Sequence, residues 1–198
     1  MRTTKTKRNL RSATKKEESH DRIVSSAARK IRSSGFAGVG VADIMRSAGL
    51  THGGFYAHFP SREVMLVEAL TAACAESASF LARVATGASS DEALGRMLDT
   101  YLSQEQLEGV ERGCPLAALG SESARQTPQI RHAINLQVKK LSQLIARNTP
   151  HSSAPDVHER ALVTVAAMVG ALILARAVDD PALSSAIRQA TLTHFRPR

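Results

Sequence analysis

Histidine and cysteine are the side chains of this sequence with the widest range of possible chemistry, and their spacing argues against a metal centre or a catalytic site. The seven histidines form no cluster with carboxylates at metal-ligand spacing, and His151 and His158 lie on either side of a proline. The sequence contains no nucleophile-elbow, zinc-protease, phosphate-loop or dinucleotide-binding motif. We therefore expect no metal, no cofactor and no enzymatic activity. An unrecognised catalytic site in the C-terminal part is the alternative.

The two cysteines, Cys74 and Cys114, are far apart and belong to no C-x-x-C pair. This spacing argues against a disulfide framework and fits the reducing cytoplasm, where we expect the protein to be found. Cys114 follows Arg112 closely and precedes a proline that is typical of a helix start. A nearby cation and the positive end of a helix dipole favour the reactive thiolate. Cys114 is therefore either a sensor thiol or an inert, small buried side chain.

The net charge of +8 is concentrated in the first third of the chain. Residues 1–60 contain 12 Lys and Arg against 4 Asp and Glu, whereas residues 61–198 are balanced. Residues 1–16 contain seven basic side chains and no acidic one, which predicts a flexible basic arm that includes Lys15 and Lys16. A basic region of this kind favours contact with nucleic acid, and a solvated tail is the alternative.

Hydrophobic periodicity predicts an all-α protein without strands. A first helix runs from Glu17 to a stop at Gly35, and a second covers Val41 to Ala48. A short third helix follows from Thr51 to Phe59, and Ser61 caps a long fourth one from Arg62 to Val84. Four more segments have helical patterns: 91–107, 127–148, 155–178 and 181–195. A further short helix is expected after Gly113.

Two short helices joined by a glycine turn are a common device for placing one helix in the major groove of DNA. In the run VADIMRSAGLTHGGFYAHF (41–59), Phe55 and Phe59 are spaced to pack on the core. Thr51 and His52 begin the second helix, where side chains and backbone N–H groups can approach bases or phosphates. Gly53 has no side chain, so the backbone itself can come close to the DNA.

This run and the flanking PSREVML resemble the N-terminal DNA-binding domain of the TetR/AcrR family of bacterial regulators, from Asp21 to about Leu70. The resemblance implies a three-helix helix-turn-helix domain over residues 17–65. It also implies an all-helical effector-binding and dimerisation domain over residues 66–198, with about nine helices in total. The DNA contacts that we predict are Lys15, Lys16, Arg46, Thr51, His52, Gly53, Tyr56, His58 and Arg62.

The function that this resemblance implies is a homodimeric transcriptional regulator of the repressor type. Its partners are a near-palindromic DNA operator and an unknown effector, and release follows effector binding or modification of Cys114. A non-specific architectural DNA-binding protein is the alternative. Residues 161–175 are apolar around the whole helix, which predicts a dimer interface shared with residues 181–195 or, alternatively, a core helix. We expect no membrane association, because no apolar run reaches roughly 18 uninterrupted residues.

Overall fold

The computed structural model describes residues 3–149 and 154–196, and over these residues the chain is helical without strands. The described α-helices are α1 (Thr3–Ser34), α2 (Val41–Ser47), α3 (Arg62–Ala85), α4 (Ser90–Tyr101), α5 (Gln104–Glu108), α6 (Pro115–Ser123), α7 (Pro128–Arg147), α8 (Ala154–Ala177) and α9 (Pro181–Phe195). Two 3-10 helices join them, His52–Ala57, which we name the reading segment, and Val110–Arg112. The all-α prediction is confirmed.

Side-chain caps that can be recognised in the sequence begin α3, α4, α5 and α9. The Ser61 hydroxyl accepts from the Val64 N–H group at the start of α3, and Asp180 caps α9 in the same way. The helix predicted over 91–107 is two helices, because α4 ends at Tyr101 and Ser103 accepts from the Gln106 N–H group to begin α5. A second serine cap inside a continuous helical pattern accounts for this difference.

Helix α1 is longer than the sequence analysis expects. It begins at Thr3, so a helix covers most of residues 1–16, where the charge pattern predicts a flexible arm. No glycine or proline interrupts residues 3–34, so local propensity continues the helix backwards from its packed part. Lys15 and Lys16 are exposed residues of this helix.

Two hydrophobic cores lie along the molecule. The first joins α1, α2, the reading segment and the N-terminal part of α3, and it also contains Leu119, Ile130 and Ala133 from α6 and α7. The second core joins the C-terminal end of α3 to α4, α6, α7 and α8. The N-terminal helical unit is therefore packed directly on α6 and α7 of the C-terminal region.

Candidate DNA interface and effector region

The helix-turn-helix unit is held by four buried side chains from α2, the reading segment and the residues that follow it. Ile44, Met45, Phe55 and Phe59 are each about 1% exposed. The Phe55 and Phe59 rings stack with their centroids 5.6 Å apart. The spacing argument from the sequence therefore places the correct residues in the core.

The reading segment is a 3-10 helix of six residues, whereas the sequence predicts an α-helix from Thr51 to Phe59. Thr51 makes no side-chain cap, and two adjacent glycines lower helix propensity by about 1 kcal/mol each relative to alanine. Neighbouring packing through Phe55 therefore holds the segment. Thr51, His52 and Gly53 are exposed at its start, and a side chain at Gly53 would meet no atom within 4 Å.

Tyr56 is the most exposed large side chain of the reading segment. Its exposed fraction is 74%, although its ring packs edge-on against the buried Phe55 at 5.2 Å. The contact with Phe55 limits the directions of the Tyr56 ring, and its hydroxyl has no hydrogen-bond partner among the described residues. This arrangement suits a contact with a phosphate or a base edge.

The cations predicted to meet DNA are exposed near the reading segment. Arg46 on α2 forms a surface ion pair with Asp43 at 3.3 Å, and 79% of the Arg46 side chain is exposed. Such a pair is worth little energy and breaks readily when a phosphate competes for the guanidinium. Burial, then the charge of His20 and last that of Lys16, lowers the pKa of His58, so a cation of the basic region adds to the positive potential around this imidazole.

A histidine cluster that the sequence analysis missed supports the reading segment from α1 and α3. His20 Nε2 lies 2.5 Å from a Glu68 carboxylate oxygen, and the His20 ring stacks on Phe59 at 4.5 Å. The His58 ring is 6.0 Å from His20, and its Nδ1 atom is buried without a hydrogen-bond partner among the described residues. No local pattern reveals this cluster, because His20 and Glu68 are 48 residues apart.

The stability of the protein should fall below neutral pH through His58. Burial, and then the charges of His20 and Lys16, lower the pKa of His58 from its usual 6.5. The unfolded chain therefore takes up this proton first, and folding stability is lost as the pH falls below about 6.5. We expect the His58→Gln protein to lose less of its melting temperature between about pH 7.5 and 5.5 than the wild type does. The same change at the exposed His52 serves as the control, and equal pH dependence of all three proteins would contradict this role.

Arg62 has a different role in the structure from the predicted phosphate contact. Its Nη2 group donates to the backbone carbonyls of Phe36 and Val39, and its Nε group also donates to Val39. The guanidinium is thus directed into the protein at the first residue of α3. It ties α3 to the loop between α1 and α2, a geometry that the resemblance to a phosphate-binding lysine does not foresee.

Replacing Arg62 by methionine should separate these two roles. The variant leaves two partly buried carbonyl groups without their donor, which costs about 1–3 kcal/mol of folding stability. Thermal denaturation should show this loss. DNA binding by the folded variant should keep the wild-type salt dependence, whereas loss of a phosphate contact would reduce the slope by about one. A stable variant with a reduced slope would restore the phosphate role.

Cys114 is the residue before α6, and it is only 2% exposed. The Tyr101 hydroxyl is buried without a hydrogen-bond partner among the described residues, and burial, followed by the nearby Cys114 thiol, raises the pKa of Tyr101 well above its usual value. Arg176 donates to the backbone carbonyls of Gln106 and Leu107, a few residues before Cys114 in the sequence. Burial also raises the pKa of the other cysteine, Cys74, to about 12, so its thiol is protonated at neutral pH. In this conformation neither thiol is open to solvent.

Comparison with known proteins assigns this arrangement of helices to a family. Residues 23–69 match the family described as "Bacterial regulatory proteins, tetR family". Residues 91–189 match the C-terminal domain described as "Transcriptional regulator LmrA/YxaF-like", and this match alone covers half of the chain. The protein belongs to the TetR family of transcriptional regulators. The members of this family are DNA-binding regulators rather than enzymes.

Relatives and solved structures agree with this assignment. An uncharacterized HTH-type transcriptional regulator of Mycobacterium tuberculosis is 29% identical over 168 residues, which are 81% of this chain and 85% of the relative. A TetR transcriptional regulator from Chloroflexus aurantiacus superposes with a TM-score of 0.77 at 26% identity, covering 92% of this chain and 94% of that one.

Two further structures share the fold at lower identity. The reduced form of NemR from E. coli has a TM-score of 0.77 at 18% identity and covers 90% of this chain and 95% of its own. RolR in complex with the ligand resorcinol has a TM-score of 0.58 at 22% identity and covers 92% of this chain and 89% of its own. Helices α3 and α8 contain stretches long and apolar enough to span a membrane, but the TetR fold accounts for both as helices of a soluble protein.

Proposed function

We propose that this TetR-family protein is a cytoplasmic, homodimeric repressor that binds a near-palindromic operator and is released by a small-molecule effector. The single observation that carries the dimer, and with it the two-half-site operator, is an exposed apolar face on α8 and α9. Two copies of the reading segment, about 34–36 Å apart, would then meet successive major-groove faces of one duplex.

The exposed face of α8 contains large apolar side chains that a soluble monomer would bury. Leu162, Val163 and Leu174 are 42%, 52% and 55% exposed, and Leu183 at the start of α9 is 47% exposed. The opposite face of α8 is buried in the second core through residues such as Met168 and Leu172. Helix α8 is therefore apolar on both sides, one facing its own chain and the other facing solvent.

Gly170 lies on the same helix, and among the described residues no atom occupies the space beside its Cα. A side chain at this position would meet no atom within 4 Å, yet glycine in a helix interior costs about 1 kcal/mol relative to alanine. Small residues at a helix surface let two backbones approach closely. A second copy of α8 and α9 is the occupant that fits, because a four-helix interface covers both apolar helices at once.

The effector site that we propose lies in the second core and its border. Gln137 Oε1 and Ser142 Oγ on α7 are buried without a hydrogen-bond partner among the described residues. Buried polar atoms of this kind are costly unless they are paired, and a polar ligand would supply the missing partner. RolR, with the same fold, holds the ligand resorcinol. We therefore propose a small effector that has one or two polar groups on an apolar body.

An effector of this kind should stabilise the protein and release it from DNA together. A thermal-shift screen of small phenols, aldehydes and short-chain acids should give a compound that raises the melting temperature of the wild type and weakens operator binding. The Gln137→Leu variant should lose much of both responses. A compound that releases DNA without stabilising the free protein would contradict binding in this core.

Thiol modification is the second release route in this proposal, and the structure sets a condition on it. Cys114 is only 2% exposed, so a reagent reaches its thiol only after the surrounding structure opens. We expect small alkylating agents to act more slowly than a non-covalent effector. Equal release of the wild type and of the Cys114→Ser variant by such a reagent would eliminate this route.

A further inference from the structure

Two polar contacts join the C-terminal region to the end of α1 and the residues that follow it. The first contact joins Arg32 to the backbone of Gly113, and the second joins the backbone of Phe36 to Glu122 on α6. Both partners in the C-terminal region belong to the short stretch 110–123, which also contains Cys114. The stretch 110–123 therefore contacts the N-terminal helical unit, which we call the DNA-binding unit, directly.

Arg32 is a buried charge, and each of its three guanidinium nitrogens has a hydrogen-bond partner. Only 1% of its side chain is exposed. Its guanidinium donates to the carbonyl of Gly113 at 3.3 Å and to the Glu76 carboxylate at 2.8 Å, and its Nε donates to the carbonyl of Ala28. A buried guanidinium is costly unless it is paired in this way. Arg32 thus fixes α1 to α3 and to the turn before α6.

Glu122 makes a closer and more unusual contact. Its Oε2 atom accepts from the N–H group of Phe36 at 3.0 Å. The residue before Phe36 is Gly35, with φ of +71°, where a Cβ atom would lie 2.3 Å from a Glu122 oxygen. Glycine suits this position because a φ of +71° favours it, and because a side chain here would displace the Glu122 carboxylate from the Phe36 N–H group.

The contact made by Glu122 continues to the reading segment. The carbonyl of Phe36 accepts from Arg62, which also binds the carbonyl of Val39 and begins α3 directly after the reading segment. A chain of hydrogen bonds thus runs from Glu122 through the Phe36 peptide groups to Arg62. On its other side, α6 packs against α7 and α8, the helices that border the second core.

We propose that Glu122 is a positioning residue for operator binding. Its bond to the Phe36 N–H group sets the angle between the DNA-binding unit and the rest of the protein, and so the spacing of the two reading segments in a dimer. This inference rests on the proposed homodimeric function. A shift of α6 would change the spacing without altering the surface of the reading segment itself, so operator binding responds through geometry rather than through lost contacts.

Three substitutions at Glu122 separate geometry from charge. Alanine removes the acceptor, aspartate keeps the charge but shortens the side chain, and glutamine keeps an acceptor oxygen at the same length. Glu111→Ala is the matched control, because it removes a carboxylate from an exposed position in the same stretch. Removing a carboxylate alone should slightly strengthen DNA binding, so the control corrects for net charge.

The first measurement compares two duplexes selected with the wild-type protein from a random pool. One keeps both half-sites and the other has one half-site scrambled. The Glu122→Ala and Glu122→Asp proteins should bind the complete duplex about tenfold more weakly than the control, with unchanged binding to the single half-site. Glu122→Gln should keep the wild-type affinity. Equal losses on both duplexes, or no loss for alanine and aspartate, would overturn the proposal.

A second measurement does not depend on an operator. Pulsed electron-spin resonance between nitroxides on a cysteine introduced at the exposed Ser47 reports the distance between the two DNA-binding units of a dimer. The distribution should broaden in Glu122→Asp and stay narrow in Glu122→Gln. An unchanged distribution in Glu122→Asp overturns the inference. If the wild type itself shows no preference for two half-sites, the proposed function is wrong, and the distance measurement decides the inference alone.

Discussion

The Tyr56→Ala protein should bind its operator roughly 5- to 150-fold more weakly than the wild type, which corresponds to about 1–3 kcal/mol for a lost contact at a groove. Its melting temperature should be almost unchanged, because the Tyr56 side chain is 74% exposed, although its ring makes an edge contact with Phe55. Fluorescence anisotropy with an operator duplex measures the first effect, and thermal denaturation measures the second.

The neighbouring Phe55 provides the contrast for this prediction. Phe55 is 1% exposed and packs in the first core, so Phe55→Ala should lower the free energy of unfolding by about 3–5 kcal/mol. Tyr56→Phe tests the hydroxyl alone and should lose part of the affinity. If Tyr56→Ala melts as early as Phe55→Ala does, Tyr56 is a core residue and the reading segment presents another side chain to DNA.

The Gly170→Arg protein should be a monomer that has lost most of its operator affinity. A guanidinium placed between two apolar helices would have to be buried without a partner, which a dimer interface does not tolerate. A dimer that contacts two linked half-sites binds about 10²–10⁴ times more tightly than a monomer that contacts one. Loss of the dimer should therefore reduce operator affinity by at least about 100-fold. Analytical ultracentrifugation gives the oligomeric state, and anisotropy gives the affinity.

Gly120 supplies the matched control for Gly170. It is also a glycine inside a helix with no atom within 4 Å of an added side chain, but it is an exposed residue of α6 and does not belong to the apolar face of α8 and α9. Gly120→Arg adds the same charge and the same gain in helix propensity, and it should remain dimeric. A dimeric Gly170→Arg protein with wild-type affinity would show that the apolar face of α8 is not the interface.

Local spacing in the sequence predicts those parts of the structure that depend on nearby residues. The core positions Phe55 and Phe59, the exposed Tyr56 between them, and the start of α3 at Ser61 all follow from periodicity and capping. The family resemblance adds the order of the two domains. The 3-10 form of the reading segment was not predicted, because packing rather than propensity holds two adjacent glycines.

Contacts between distant residues could not be predicted from the sequence. Glu122 and Phe36 are 86 residues apart, and Arg32 and Gly113 are 81 apart, so no motif joins them. The inward direction of Arg62 is a similar case, since the sequence alone does not distinguish a phosphate contact from a bond to the protein backbone at that position. The apolar circumference of α8 indicated burial on all sides, and only the structure shows which side its own chain leaves open.

Fluorescence anisotropy tests most directly whether this protein is a sequence-specific, operator-binding regulator. The purified protein is titrated against the DNA flanking its own gene and against a scrambled duplex, each at two salt concentrations. We expect tight binding to the flanking DNA that survives the higher salt, with two protomers bound per duplex. Equal binding to both duplexes, lost in parallel as the salt is raised, would contradict it and would indicate contact with the phosphate backbone alone.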